Sequence, residues 1–345
     1  MSTHGRQSLA AALGTFTLAL CFSAAHASQA ELSKQILQHD GWVAYDVPMA
    51  AAAGAPCCYE HHARDASHAT CELEGRSWSM GRNDHDRTTL VDGTLTVYLR
   101  VAHGNVDKVR AFASSCALSD ADRARRLEAV VPADSVAFLA QLANAAATHD
   151  IVDEEIAALS MHADAAAVAA LAQLADANHP RKLREQALFW LSQTGGAAGA
   201  QIIERVATTD ADAELRAQAV FDLSEAHAVD GYVIIKRIAQ TDASEHVRSQ
   251  ALFWMAQMGD ARVRVDITAA IGSEVSDEVR EQGVFALSQL KDHDADAALI
   301  ALVRGSYPRK VKQQALFWLG QSGSDDAMKF LDDVLSHQAQ RSNDG

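Results

Sequence analysis

Two groups of residues in this sequence have the types and spacing to do chemistry. The first is a cluster of thiols and imidazoles: Cys57, Cys58, His61, His62, His68 and Cys71, with Cys116 further along the chain. Such a cluster suits either disulfide formation or a zinc or copper site. Disulfides are the expected use. Cys57 and Cys58 are adjacent and could bridge each other only through a strained ring, so each is expected to pair with one of Cys71 and Cys116, in an order that spacing leaves open. The metal alternative would draw on Cys58, His61, His62, His68 and Cys71, yet the chain shows neither a repeated C-x-x-C nor an H-x-x-x-H on a helical pattern. Asp84, His85 and Asp86 lie together without a nucleophile and base pairing, and read as a solvated loop. No G-x-S-x-G, P-loop or dinucleotide fingerprint occurs, so neither a cofactor nor a catalytic constellation is expected.

The second group is periodic. Phe189, Phe221, Phe253, Phe285 and Phe317 recur every 32 residues, and Gln186, Gln218, Gln250, Gln282 and Gln314 run in the same step. Trp190, Trp254 and Trp318 follow the phenylalanines in every second unit. Rings at helical spacing ordinarily complete a core, and wedging between neighbouring helices is the first account of them. The second is a ladder on an accessible face, where rigid rings supply contact area and amides offer hydrogen bonds to an extended polypeptide. On that account the partner-binding residues are Gln186, Phe189, Trp190, Phe221, Gln250, Phe253, Trp254, Phe285, Gln314, Phe317 and Trp318. A third row, Arg184, Arg216, Arg248, Arg280 and Lys312, is expected to make surface ion pairs of small value with acids of the next unit such as Glu185 or Asp212. A phosphate-binding ladder is the alternative.

The elements that position these rows are legible in the same period. Segments such as Leu183-Arg-Glu-Gln-Ala-Leu-Phe-Trp-Leu191 and Val311-Lys-Gln-Gln-Ala-Leu-Phe-Trp-Leu319 align without a gap, and Leu183, Ala187 and Leu191 share one helix face. A second helix lies between motifs, because Leu139, Leu171, Ile203, Ile235, Ile267, Leu299 and Leu331 also fall 32 apart. Pro180, Asp212, Ser244, Ser276 and Pro308 precede the motif helix, where caps or first-turn residues belong. Gly195, Gly259 and Gly323 follow it, where helices end. The expectation is a mainly α chain: an α-solenoid of about six 32-residue helical hairpins over 133–337 and a polar tail over 338–345.

The pattern Val/Leu-Arg-x-x-Ala-x-x-x-Leu-x-x-x-Gly, as in Leu183 to Gly195, resembles the short bacterial HEAT-like repeats also found in phycobilisome lyases. It covers about 60% of the chain. The resemblance implies a scaffold for protein contacts, and says little more about function. Two kinds of enzyme are built from related repeats. Phycobilin lyases work in a photosynthetic cytoplasm, which conflicts with the export signal described next. Deoxyhypusine hydroxylase uses His-Glu pairs, and no His-Glu dipeptide occurs here.

Residues 1–27 read as a signal peptide, with Arg6 near the start, an apolar stretch from Leu9 to Phe22 and Ala25-His26-Ala27 as the cleavage site. Export to the periplasm is therefore expected, with no membrane span, since the stretch is short of the roughly 18 apolar residues a bilayer requires. Residues 28–132 read as a small β-rich, disulfide-bonded cap on the first hairpin, with strands at Trp42 to Val47, Thr70 to Leu73, Leu95 to Val101 and Val106 to Ala113. Net charge is −15, from 30 basic and 45 acidic residues, so nucleic acid is not an expected partner. A protein or extended peptide is, and the oligomeric state is left open.

Overall fold

The computed structural model describes residues 28–51, 72–74, 93–145, 152–226, 230–290 and 293–343. Those residues divide into two compact units, with the division between Gly195 and Gly196.

The first unit opens with a helix over 28–37 (α1), absent from the sequence reading. A four-stranded sheet of β1 (Gly41–Pro48), β2 (Thr94–Ala102), β3 (Asn105–Ala113) and β4 (Arg125–Arg126) follows, in the order β3-β2-β1-β4. Three of the expected strands are present. β2 and β3 form the hairpin, turning at His103 and Gly104, both with positive φ as a two-residue turn of this hand requires. β1 pairs antiparallel with β2, Tyr45 opposite Val97, and β4 joins the far edge in parallel.

The expected strand at Thr70 to Leu73 is not one in its described part, because Glu72 to Glu74 form a turn. Leu73 N–H donates to Asp120 at 2.9 Å, and the Glu74 carboxylate accepts from Trp42 Nε1 at 3.0 Å and Arg100 Nη1 at 2.6 Å. That turn is pinned across one face of the sheet, over Trp42, Ala44, Tyr98 and Phe112, where strand pairing would leave no room for it. Cys116 packs against the same cluster and is disulfide-bonded. Cys57, Cys58 and Cys71 lie outside the described residues.

The other face meets the first hairpin of the repeat array, made of α2 (Pro132–Ala145) and α3 (Val152–Ser160); α4 (Ala165–Leu174) and α5 (Arg181–Thr194) form the second. The second unit holds α6 (Gly196–Thr209) with α7 (Ala213–Glu225), α8 (Gly231–Thr241) with α9 (Glu245–Gln257), α10 (Val263–Ser273) with α11 (Asp277–Ser288), α12 (His293–Arg304) with α13 (Arg309–Ser322), and α14 (Asp325–Asn343). The chain is thus mainly α, with hairpins of the expected period and a small β-rich N-terminal part.

Local chemistry sets these boundaries. Pro180, Asp212, Ser244, Ser276 and Pro308 are the N-caps of α5, α7, α9, α11 and α13. Asp212 accepts from Glu214 N–H at 3.0 Å, satisfying a donor that the first turn leaves unpaired. Gly259 and Gly323 take left-handed backbone after α9 and α13; after α5 that role passes to Gly196, while Gly195 stays right-handed. Within the second unit the motif helices α7, α9, α11 and α13 pack side by side as one layer, and each outer helix packs chiefly on its own hairpin partner. Leu215, Ala219 and Leu223 in α7, and Val247, Ala251 and Met255 in α9, are buried between the layers, as their spacing predicts.

Candidate functional site

The accessible edge of the motif-helix layer carries the phenylalanine row. In the second unit the rings touch in sequence: Phe221 and Trp254 at 4.6 Å between centroids, Trp254 and Phe253 at 5.1 Å, Phe253 and Phe285 at 6.1 Å, Phe285 and Trp318 at 5.3 Å, Trp318 and Phe317 at 5.1 Å. Six side chains from the four motif helices α7, α9, α11 and α13 thereby form one unbroken column. Most contacts are tilted or edge-to-face, as ring quadrupoles prefer. Phe253 and Phe285 are parallel within 3° at 6.1 Å.

The column also accounts for tryptophan in alternate repeats. Trp254 reaches back to Phe221 and Trp318 reaches back to Phe285, so each indole closes one interface between neighbouring helices. The equivalent positions, Asp222 and Ala286, are buried. A ring there would compete for space already filled.

The core and ladder accounts both describe part of this row. Trp190, edge-on to Phe189 in the first unit, is buried and stands behind the surface. Phe189, Phe221, Phe253, Trp254, Phe285 and Trp318 are half-buried, while Phe317 is 55% exposed. Beside them, the side-chain amides of Gln186, Gln250 and Gln314 are half-buried and make no hydrogen bond among the described residues, whereas Gln218 donates to Asp222 at 3.2 Å. A shallow depression of 390 Å³ lies where the column ends, lined by Glu281, Lys310, Gln313, Gln314 and Phe317. The face therefore offers ring area, unspent amides and charges of both signs.

The arginine row differs from expectation in partner and in burial. Arg216 Nε and Nη2 donate to Asp242 at 2.9 and 2.8 Å, and Arg248 does the same to Glu274 at 2.8 and 3.2 Å. Each guanidinium also donates to a carbonyl six residues upstream, that of Asp210 or Asp242. Side-chain exposures are 12% and 8% for the first pair and 12% and 10% for the second, so these are shielded cross-repeat clamps rather than surface pairs with Asp212 or Glu185. Each partner holds the other charged: Glu274, burial notwithstanding, is kept below the usual carboxylate range by the Arg248 guanidinium and by backbone N–H donors. Arg184 is buried and donates Nε to the Ala175 carbonyl at 2.9 Å. The acids had a signal in the sequence, since Asp210, Asp242 and Glu274 also fall 32 apart.

A third arrangement was not foreseen. Ser135 Oγ lies 2.8 Å from His162 Nε2 and 2.8 Å from the Tyr45 hydroxyl. His162 Nδ1 lies 2.9 Å from the Ala158 carbonyl, which can only accept, so Nδ1 carries the proton and Nε2 accepts from Ser135. Ser135 in turn accepts from Tyr45. A serine and a histidine at this distance have nucleophile and base geometry, but all three side chains are buried and no carboxylate orients the ring. Burial also pushes the His162 imidazole down to about 4. The relay ties β1 and α2 to the turn after α3.

Among the described residues, no group of three or more His, Cys, Asp or Glu could hold a metal ion, and no helix is long and apolar enough to cross a membrane. The alternative metal set, Cys58, His61, His62, His68 and Cys71, lies outside the described residues, as do Asp84, His85 and Asp86 and the signal-like segment 1–27.

The family comparison agrees with the architecture. Residues 233–317, from α8 to α13, match the family described as HEAT repeats. No curated protein matches the chain. Among solved structures, human deoxyhypusine hydroxylase in complex with glycerol is similar over 58% of this chain and 77% of its own, at 15% identity and a TM-score of 0.26.

Proposed function

We propose that this HEAT-like repeat protein is an exported, non-catalytic scaffold that binds an extended polypeptide along the motif-helix face of its second unit. The observation that carries the reading is the column from Phe221 to Phe317, half-buried up to its exposed end at Phe317 and flanked by the unspent amides of Gln250 and Gln314. Rings stacked on one another lose little side-chain entropy when a partner covers them, so their remaining area is available for binding. Glutamine amides donate and accept, which suits the alternating N–H and C=O groups of an extended backbone. The cleavage-site pattern at Ala25-His26-Ala27 supports export, and the periplasm is the compartment proposed.

The test is selection from a random peptide library against the chain lacking residues 1–27, with a Phe253→Ala, Gln250→Ala variant as comparison. Selected peptides should bind the variant at least tenfold more weakly, with its melting still cooperative. Peptides that bind both proteins equally, or a library that yields none, would overturn the proposal.

A further inference from the structure

The arginine clamps repeat with one omission. Asp242 and Glu274 stand 26 residues after Arg216 and Arg248, and the residue 26 after Arg280 is Ser306. Arg280 consequently lacks the carboxylate that its two predecessors hold. Its Nη1 turns instead to Asp277 on its own helix at 3.1 Å, and its Nε is buried without a hydrogen-bond partner. The edge formed by Nε and Nη2 is the one that grips the acid in the earlier repeats.

A guanidinium N–H shielded from water and left unbonded is costly, because the water it gave up is not replaced. Bidentate pairing with a carboxylate is the arrangement that recovers it best. Open crevices adjoin the clamped arginines, one of 420 Å³ lined by Arg216, Thr241 and Asp242 and one of 280 Å³ lined by Arg248, Ser273 and Glu274. Arg216 and Arg248 therefore border a surface that small groups can reach. The Arg280 side chain is 19% exposed, more than the 12% of Arg216 and Arg248.

Two further departures occur at this repeat. Tyr307 replaces Ala243 and Val275, and its ring rests 3.7 Å from where a β-carbon on Gly272 would stand. The run Arg309, Lys310 and Lys312 follows at once, making this end locally basic in an acidic chain. Lys310 bonds Asp277, the acid that Arg280 also holds, and lines the depression that ends the ring column beside Phe317.

We propose that Arg280 receives an acidic side chain of the bound polypeptide, supplying in trans the carboxylate that Asp242 and Glu274 supply in cis. The source of the carboxylate rests on the peptide-binding reading above; the site itself rests on Arg280 alone. The test is a titration of the chain lacking residues 1–27, read on the Arg280 Nε–H resonance. The probes are N-acetyl-aspartate amide for a side-chain carboxylate, N-acetyl-alanine for a chain terminus, and inorganic phosphate. The aspartate probe should shift that resonance saturably, and Ser306→Asp should weaken the response at least tenfold while raising the melting temperature, because the clamp is then filled from within. Ser306→Ala should respond as the parent does. The inference is overturned by an unmoved resonance, by an equal response in Ser306→Asp, or by phosphate or N-acetyl-alanine acting more strongly than the aspartate probe. None of these outcomes depends on Phe253 or Gln250, so the peptide-binding reading stands or falls separately.

Discussion

A β-carbon placed on Gly283 of α11 would stand 2.7 Å from Cγ1 of Ile271 on α10. The two positions compensate. Where other repeats carry alanine in the motif helix, at Ala187, Ala219, Ala251 and Ala315, this one carries glycine. Its outer helix carries Ile271 where Ala175, Ala207 and Ala239 stand in others, so bulk has moved from one helix to its partner. Gly283→Ala should destabilise the chain by about 1–3 kcal/mol through overpacking, even though alanine favours a helix by roughly 1 kcal/mol. Adding Ile271→Ala should cost less in that background than alone. Denaturant unfolding of the four proteins in the cycle measures the difference, and additive effects would contradict the pairing.

The clamp between Arg248 and Glu274 should behave as a unit. Glu274→Ala leaves a shielded guanidinium without its acid and is expected to cost about 1–3 kcal/mol. Replacing both residues with apolar ones of similar volume should cost less than the single change. The comparison requires only the melting temperatures of the parent and the two variants, and a double variant worse than Glu274→Ala would show that the pair is not what matters.

Protonation of His162 requires its relay with Ser135 and Tyr45 to reverse. The imidazole titrates near 4 in the folded chain because burial disfavours the charged ring, against 6.5 for the ordinary group. Between those values the unfolded chain binds more protons, so this residue's contribution is complete above pH 6.5 and falls as pH drops towards 4, by up to about 3 kcal/mol. His162→Gln should remove that dependence. Denaturant curves from pH 4 to 7.5 on both proteins check it.

Glu155 acts in the opposite sense. Burial raises its carboxyl to about 8, with the charges of Glu154 and Asp153 adding to the effect, and Oε2 has no hydrogen-bond partner. The folded chain therefore keeps a proton that the unfolded chain releases above about 4.5. Stability from this group is full below that pH and is lost as pH rises to about 8. Glu155→Gln should flatten the decline and stabilise the chain at pH 8 by an amount on the order of 4 kcal/mol. Melting temperatures of the two proteins at pH 5 and pH 8 give the answer, and an equal fall in both would contradict the assignment.

The exposed end and the packed middle of the ring column should differ in what they cost to remove. Phe317 is 55% exposed, so Phe317→Ala should change stability by less than about 1 kcal/mol. Trp254 touches both Phe221 and Phe253, and Trp254→Ala should cost about 3 kcal/mol or more. Urea unfolding of the two variants separates the exposed end from the packed middle.

The period of 32, the identity and ends of the motif helices, their N-caps and the buried faces of Leu183, Ala187 and Leu191 were all legible in the amino-acid order. Each depends on contacts within a turn or two of one helix, or on an apolar stripe that any neighbour would cover. The β2–β3 hairpin was legible for the same reason, through its alternation and its His103-Gly104 turn. The order of rings from Phe221 to Phe317, the turn over Trp42 and the Tyr45, Ser135 and His162 relay were decided by tertiary structure alone, while of the clamps on Arg216 and Arg248 the sequence held only the 32-residue step of the acids and not the pairing. Their partners come from different hairpins or from opposite sides of the sheet, and the register in which those elements stack is set by the combined packing of many side chains, which no local pattern contains.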